Sequence, residues 1–207
     1  EAVSVMQAVG GNCGTLVRAP SNDPVWIKRI LDIGAEGVMI PAVNSAEEAN
    51  AAARACHYAP RGMRGMAPTI VRASGYGADW KSYVERIEEE VLVICQIESA
   101  AAIENVDAIA SVEDVDLLFI GPFDLSASLG FLGQPDHPTV LKAVETVEAA
   151  AKAHRKHLGS ISTPGRSTKD LLQAGYNLIV PDADLLLLRD AARTAAKKAK
   201  ALVDSRL

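Results

Sequence analysis

Six short apolar runs alternate along the chain with longer segments in which apolar residues recur at helical spacing. Near-continuous apolar runs of this length are typical of parallel strands that are buried on both faces of a sheet. Their alternation with helices predicts an α/β fold built on a parallel sheet. The predicted strands lie at 13–20, 36–41, 91–98, 116–122, 157–162 and 177–182.

Two of the predicted helices carry clear start and stop signals. Asp23 is a suitable N-cap before Pro24 at the first helical position, and Gly34 follows the last turn. Ser45 stands three residues before Glu48, which is the spacing of a capping box. Two longer, alanine-rich helices are predicted at 139–154 and 185–203.

The spacing of the strands favours a barrel over an open sheet. Several strands are separated by about 20 to 25 residues, close to one strand–helix unit of a (β/α)8 TIM barrel. The wide gap between Pro41 and Val91 leaves room for a seventh strand near Arg61–Gly65. An eighth strand is not found, and the chain opens in a helical pattern. We therefore predict a single barrel domain over residues 1–207 from which the first strand is absent.

Composition narrows the class of protein. The chain has 207 residues, 49% of them hydrophobic, and a formal net charge of −5, which indicates one globular domain and no nucleic-acid partner. The apolar runs are far shorter than the roughly 20 residues of a membrane-spanning helix. The three cysteines are widely spaced and no signal peptide opens the sequence, so we expect a reducing, cytoplasmic setting without membrane contact.

Candidate chemistry lies where the strands end. In VLVICQIESA, Gln96 and Glu98 are two residues apart and therefore project to one side of their strand. Asp124 follows the next strand, and Arg18 ends the first one. Two neighbouring carboxylates disfavour each other's ionisation unless a cation lies between them. Oxygen ligands of this kind suit Mg²⁺ or Mn²⁺, and the strand ends of a parallel barrel are where active sites form.

Less specific explanations stay open for each residue. In one alternative Glu98 forms an ion pair with Arg18 or another arginine, and in another Asp124 simply caps a helix. In a third alternative Arg18 only extends its charged end into solvent or pairs with Asp32. The arginines of 61–65 either contact an anionic substrate tail or belong to a surface turn. No predicted strand end carries a lysine, which argues against Schiff-base chemistry.

Four segments together resemble the HpcH/HpaI aldolases, which are class II, metal-dependent pyruvate aldolases. They are LVRAPSNDPVWIKRILDIGAEGVMIPAVNSAEEA, YAPRGMRG, QIESAAAIENVDAIASVEDVD and FIGPFDLSASLGFLGQPDHP. The resemblance extends from Gln7 to Leu188, in the same order and with similar spacing. It implies a (β/α)8 barrel and an enzyme of the carbon–carbon lyase class.

The resemblance also implies roles for individual residues. Glu98 and Asp124 would be the ligands of a divalent metal ion, Mg²⁺ first, with Mn²⁺ or Co²⁺ as alternatives. Arg18 would be catalytic and would contact the pyruvate or enolate oxygen, and Gln96 would support the substrate. The backbone that would hold the pyruvate carboxylate is that of Gly121, Pro122, Phe123 and Asp124.

The implied reaction is the reversible cleavage of a 4-hydroxy-2-oxo acid to pyruvate and an aldehyde, through an enolate held by the metal. One alternative is decarboxylation of oxaloacetate with capture of the same enolate, as in macrophomate synthase. A second is a non-catalytic subunit that binds 2-oxo acids, because the family's D-x-E-H motif, whose His is the general base, does not occur in this sequence. A homo-oligomer, hexamer or trimer, is implied, with the C-terminal helix 184–207 exchanged between subunits.

Overall fold

A six-stranded parallel sheet forms the centre of the computed structural model, which describes residues 2–9, 11 and 13–204. The strands lie in chain order, so each pairs with the strands before and after it in sequence. All six predicted strands are present, and the α/β class with a parallel sheet is confirmed. Their bounds are β1 Leu16–Arg18, β2 Gly37–Ile40, β3 Leu92–Ile97, β4 Leu117–Ile120, β5 His157–Ile161 and β6 Leu178–Val180.

The sheet does not close within the described part of the chain. β1 and β6 lie at its two edges and do not pair with each other among residues 13–204. An eightfold barrel needs two strands more than these six. The closed barrel is therefore not seen here.

Helices cover one face of the sheet. Side chains of α2, α3 and α8 pack with alternate strand residues into the large core, which includes Ile27, Ala49 and Val140. The opposite face carries a smaller cluster centred on Ile94, Leu117 and Phe119. The helices are α1 Ala2–Val9, α2 Pro24–Asp32, α3 Ala46–Cys56, α4 Trp80–Glu90, α5 Ala100–Glu104, α6 Val106–Ala110, α7 Pro122–Ser128, α8 Pro138–Ala153, α9 Thr168–Gln173 and α10 Asp184–Asp204, with a 3₁₀ turn at Arg72–Ser74.

The capping signals are realised, one of them only in part. The Asp23 carboxylate accepts hydrogen bonds from the N–H groups of residues 25 and 26 at 2.8 and 3.2 Å, and Gly34 adopts a φ of +94° after α2. Ser45 Oγ accepts the Glu48 N–H at 3.2 Å, as a cap should. The Glu48 carboxylate, however, binds the N–H of Asn44 at 2.7 Å instead of that of Ser45. The predicted capping box is therefore only half formed.

The prediction of a seventh strand at Arg61–Gly65 is wrong, because this segment is a loop. A Cβ on Gly62 would lie 2.2 Å from the carbonyl oxygen of His57, so the loop is pressed against the preceding backbone. Arg64 is buried and donates to Asp32 Oδ1 and to the Tyr83 hydroxyl, both at 2.8 Å. The loop is thus anchored to α2 and α4 and cannot join the sheet.

The other arginine of this loop, Arg61, is also hydrogen-bonded within the fold. Arg61 Nε donates to Asp114 Oδ1 at 2.8 Å, and its Nη1 donates to the Glu88 carbonyl at 2.6 Å. Both arginines are therefore bonded within the fold, and of the two only Arg61 keeps an exposed side chain.

The last helix, α10, stands apart from the core. None of its residues is buried, and Leu185 and Leu188 are 73% and 70% exposed. Among the described residues, no helix has the length and apolar character required to pass through a bilayer.

Candidate active site

Arg18, Gln96 and Gly121 lie on the same face of the sheet, the one with the smaller apolar cluster. Gln96 is paired in register with Phe119, and Gly121 follows Phe119 by two residues. Residues in register share a face, as do residues two apart on one strand. Arg18 is in register with Met39 of β2, and Met39 packs on this cluster, so Arg18 lies on the same face. The carboxyl ends of three strands thus direct these positions to one side.

Glu98 is the first carboxylate beyond β3, and the backbone holds it from two sides. Its Oε1 accepts the N–H of Ala42 at 2.8 Å. A Cβ added to Gly121 would lie 2.9 Å from Oε2 and 3.0 Å from Gln96 Nε2, which is closer than real Cβ atoms normally come to either atom. Only glycine leaves the Glu98 carboxylate and the Gln96 amide in their present positions.

The electrostatic surroundings of Glu98 oppose its ionisation. Burial raises the pKa of this carboxyl above its ordinary value, and the negative charge of Asp124 raises the pKa further. The Ala42 N–H and the positive charge of Arg18 act in the opposite direction and lower that pKa. The charges of Asp124 and Arg18 are therefore close enough to act on Glu98.

Asp124 lies in the first turn of α7, which begins at Pro122 with Gly121 as its N-cap residue. Asp124 is inside the helix and not at the cap, so the alternative in which it caps this helix is wrong. Pro122 is buried, whereas Phe123 is 46% exposed. The short connection after β4 places Asp124 beside Glu98.

Arg18 is an exposed residue at the end of the edge strand β1. The ion pairs found among the described residues do not include it, so the direct ion pair with Glu98 is not formed. The alternative partner, Asp32, is occupied by Arg64 at 2.8 Å and by Lys28. Arg18 thus contributes charge to the site while its guanidinium remains accessible.

Gln96 is 7% exposed and carries a buried oxygen, Oε1, that accepts no hydrogen bond from the described residues. A buried amide oxygen without a partner is costly unless a water, an ion or a ligand completes it. Because it shares a face with Arg18 and neighbours Glu98, this oxygen is available to a group bound at the site.

The donor set fits a hard divalent cation. Glu98, Asp124 and Gln96 offer only oxygen ligands, which Mg²⁺ and Mn²⁺ prefer. No group of three or more His, Cys, Asp or Glu side chains suited to a metal ion occurs among residues 2–9, 11 and 13–204. Such an ion would therefore have two protein carboxylates, and further positions open to water or substrate.

Sequence reasoning missed Ala42 and Asn44. Ala42 adopts a φ of +53°, a conformation that alanine rarely takes, and its N–H binds Glu98. Asn44 Nδ2 in turn donates to the Ala42 carbonyl at 2.8 Å. The polar Asn44, four residues after the end of β2 and directly before the N-cap Ser45, was a usable signal, whereas nothing in the sequence marks Ala42.

Comparison with known proteins identifies the family. The model of the HpcH/HpaI aldolase/citrate lyase family matches residues 1–191. A hydroxypyruvate/pyruvate aldolase of Chromohalobacter salexigens is 36% identical over 91% of this chain and 74% of its own length. A 5-keto-4-deoxy-D-glucarate aldolase of Citrobacter koseri is 38% identical over 93% of this chain and 74% of its own length.

Solved structures agree. A family protein from Burkholderia cenocepacia superposes with a TM-score of 0.89 at 35% identity, over 96% of this chain and 79% of that one. Macrophomate synthase gives a TM-score of 0.83 at 28% identity, over 99% and 71% of the two chains. The relatives are aldolases, which confirms the prediction of a carbon–carbon lyase. The chain belongs to the HpcH/HpaI aldolase/citrate lyase family.

Proposed function

We propose that this chain is a divalent-metal-dependent aldolase that reversibly cleaves 4-hydroxy-2-oxo acids to pyruvate and an aldehyde. The observation that supports this most directly is the pairing of Glu98 with Asp124, opposite the charge of Arg18, at the carboxyl ends of the strands. The negative charge of Asp124 raises the pKa of Glu98, so the ionised state of both carboxylates is unfavourable without a cation. A divalent ion removes that conflict.

In this proposal Glu98 and Asp124 hold the ion, with Mg²⁺ first and Mn²⁺ or Co²⁺ as alternatives. When bound, the ion acts as a Lewis acid toward the 2-oxo group of the substrate. The Arg18 guanidinium offers a fixed positive charge to the oxygen on which negative charge develops during cleavage. Gln96 places its amide beside Glu98, where it supports the bound 2-oxo acid.

The connection from Gly121 to Asp124 holds the substrate carboxylate in this proposal. Gly121 permits close approach of the backbone, and the N–H groups at the start of α7 supply donors. Pro122 is buried at the start of α7, and in this proposal the backbone of the following Phe123 also faces the ligand.

We further propose that the active form is a homo-oligomer, a hexamer or trimer, in which the segment 184–207 packs on a neighbouring subunit. The exposed leucines of α10 support this, since a helix with no buried residue has its apolar face available for a partner. A closed (β/α)8 barrel as the complete fold, and a cytoplasmic location, belong to the same proposal. Cys13, Cys56 and Cys95 are free thiols, which suits a reducing compartment.

Oxaloacetate decarboxylation is the second candidate, favoured by the similarity to macrophomate synthase. The same three charged residues serve both reactions, because each passes through an enolate of pyruvate. Analysis of products separates them: oxaloacetate releases CO₂, whereas a 4-hydroxy-2-oxo acid releases an aldehyde.

The experiment is a coupled assay of pyruvate release from a panel of 4-hydroxy-2-oxo acids and from oxaloacetate, with Mg²⁺, Mn²⁺ or a chelator present. We expect metal-dependent release that falls by at least about 100-fold in Glu98→Gln and Asp124→Asn, since each removes a charge that acts on the reacting groups. Glu85→Gln, an exposed position on α4, is the matched control. Release that survives chelation, or that is equal in all variants, overturns the proposal. Metal and pyruvate binding without turnover of any substrate assigns the chain to the non-catalytic alternative.

A further inference from the structure

The Glu98 carboxylate depends on a backbone group in an unusual conformation. The N–H of Ala42 donates to Glu98 Oε1 at 2.8 Å, and Ala42 holds a φ of +53°. A side chain with a Cβ is disfavoured in this left-handed region, so surrounding contacts must hold Ala42 there.

Asn44 supplies those contacts. Its Nδ2 donates to the Ala42 carbonyl at 2.8 Å, and its Oδ1 accepts the hydroxyl of Ser99, the N-cap residue of α5. The Asn44 N–H donates to Glu48 Oε2 at 2.7 Å, and its carbonyl accepts from Asn105 Nδ2 at 2.9 Å. All four polar groups of Asn44 are thus engaged.

These bonds connect the end of β2 to the residues that follow β3. Asn44 is hydrogen-bonded to Glu48 of α3 and to Ser99, the N-cap residue of α5. Its side-chain amide donates to the Ala42 carbonyl. Ser99 directly follows Glu98, and Ala42 donates to the Glu98 carboxylate. Asn44 is therefore hydrogen-bonded both to the residue after Glu98 and to the residue whose N–H binds the carboxylate. Asn44 cannot rotate its amide without losing one of these partners.

We propose that Asn44 is a positioning residue, which fixes the Ala42 backbone and thereby the direction of the Glu98 carboxylate. This rests on the proposed function, in which Glu98 is a metal ligand. Outer contacts of this kind commonly change metal affinity by about 10- to 100-fold when removed. The role is distinct from general stabilisation because it acts through one N–H on one carboxylate.

The test is Mn²⁺ affinity of the full chain, followed by electron paramagnetic resonance, with activity as a second readout. We expect Asn44→Ala to weaken Mn²⁺ binding by about 10-fold. The Ala42→Gly/Asn44→Ala double variant should recover part of that loss, since glycine adopts a φ of +53° without support. Asn50→Ala, an exposed asparagine on α3, is the matched control and should bind like the wild type.

The outcomes separate this inference from the proposed function. If Glu98→Gln binds Mn²⁺ as tightly as the wild type, the metal role of Glu98 fails and the inference fails with it. If Glu98→Gln weakens binding but Asn44→Ala does not, only the inference is overturned. Equal loss in Asn44→Ala and the double variant overturns it as well, because a merely structural role gains nothing from glycine at residue 42. If Asn44→Ala does not fold, the same comparison is made with Asn44→Ser.

Discussion

Glu98 illustrates, at the scale of one residue, how a site can oppose the stability of the fold that carries it. Its pKa is raised mainly by burial, so the folded protein holds this proton more tightly than the unfolded chain does. Ionisation of Glu98 therefore favours unfolding. The folded state therefore becomes less stable as the pH rises from the ordinary glutamate pKa through the raised pKa of Glu98.

With metal removed by a chelator, we expect Glu98→Gln to raise the thermal midpoint at pH 7, because glutamine stays neutral. The residue is half-buried and screened by solvent, so the gain is at most about 1 kcal/mol, or roughly 2–4 °C for a chain of this size. The gain should vanish below about pH 4.3, the ordinary pKa of glutamate. Calorimetry across pH checks this, and a gain that is independent of pH contradicts the stated cause.

Gly121 gives a second prediction at this scale. Its φ of −94° suits alanine, so only the contacts of the new Cβ matter. We expect Gly121→Ala to keep the fold and to lower kcat/KM by at least about 10-fold, since small displacements of catalytic groups have effects of that order. Gly65→Ala, whose backbone is not left-handed and whose Cβ would meet only the flexible end of the Lys28 side chain at 3.1 Å, should leave activity near wild type. Equal effects of the two substitutions would contradict the steric explanation.

Part of this site was predictable from individual residues. The period of two along β3 places Gln96 and Glu98 on one face, and the next strand end supplies Asp124. The bond from Ala42 to Glu98 was not predictable, because it depends on a left-handed alanine that is 56 residues away in sequence. Only the fold brings these two groups together.

At the scale of elements, the six strands and the start of α2 were predictable because their signals are local. The loop at residues 61–65 was not, since a seventh strand was expected there from the wide gap between Pro41 and Val91, while the same segment also suits a surface turn. What decides its conformation is Arg64, which is buried between α2 and α4 and bonded to Asp32 and Tyr83. No local sequence pattern indicates that an arginine is buried with partners that are far away along the chain.

This loop offers a matched pair of substitutions. Arg64→Ala removes the buried partner of Asp32 and leaves only Lys28 beside it, so the cost approaches but does not exceed the about 3–5 kcal/mol of breaking a buried ion pair. Arg61→Ala removes a pair whose arginine is 43% exposed, which costs at most about 1 kcal/mol. Urea unfolding of the two variants measures both values. Similar losses in the two would show that Arg64 does not anchor the loop.

At the scale of the whole molecule, the parallel sheet follows from the alternation of strands and helices, but its closure does not. Each strand is specified by its own apolar run, whereas closure depends on how strands at the two edges are paired. The exposed α10 raises the question of a neighbouring subunit, because Leu185 and Leu188 are 73% and 70% exposed.

The oligomer proposal is tested on this helix. Leu185 and Leu188 are three residues apart and share one helical face. We expect Leu185→Glu/Leu188→Glu to lower the mass measured by light scattering from that of an oligomer toward the 21.9 kDa of one chain. Lys197→Glu, also on α10, is the charge control. An unchanged mass in the leucine variant would rule out this face as the subunit contact.

The central claim is that Glu98 and Asp124 hold a divalent ion that activates a 2-oxo acid. The most direct measurement is exchange of the pyruvate methyl protons with D₂O, followed by NMR in the presence of Mg²⁺ or Mn²⁺. The account predicts exchange in the wild type that stops with a chelator and in both Glu98→Gln and Asp124→Asn. Metal and pyruvate binding without exchange would leave the ion site standing and show that the chain lacks a base to remove the proton. Exchange that persists in both variants, or a wild type that binds no metal, would contradict the account.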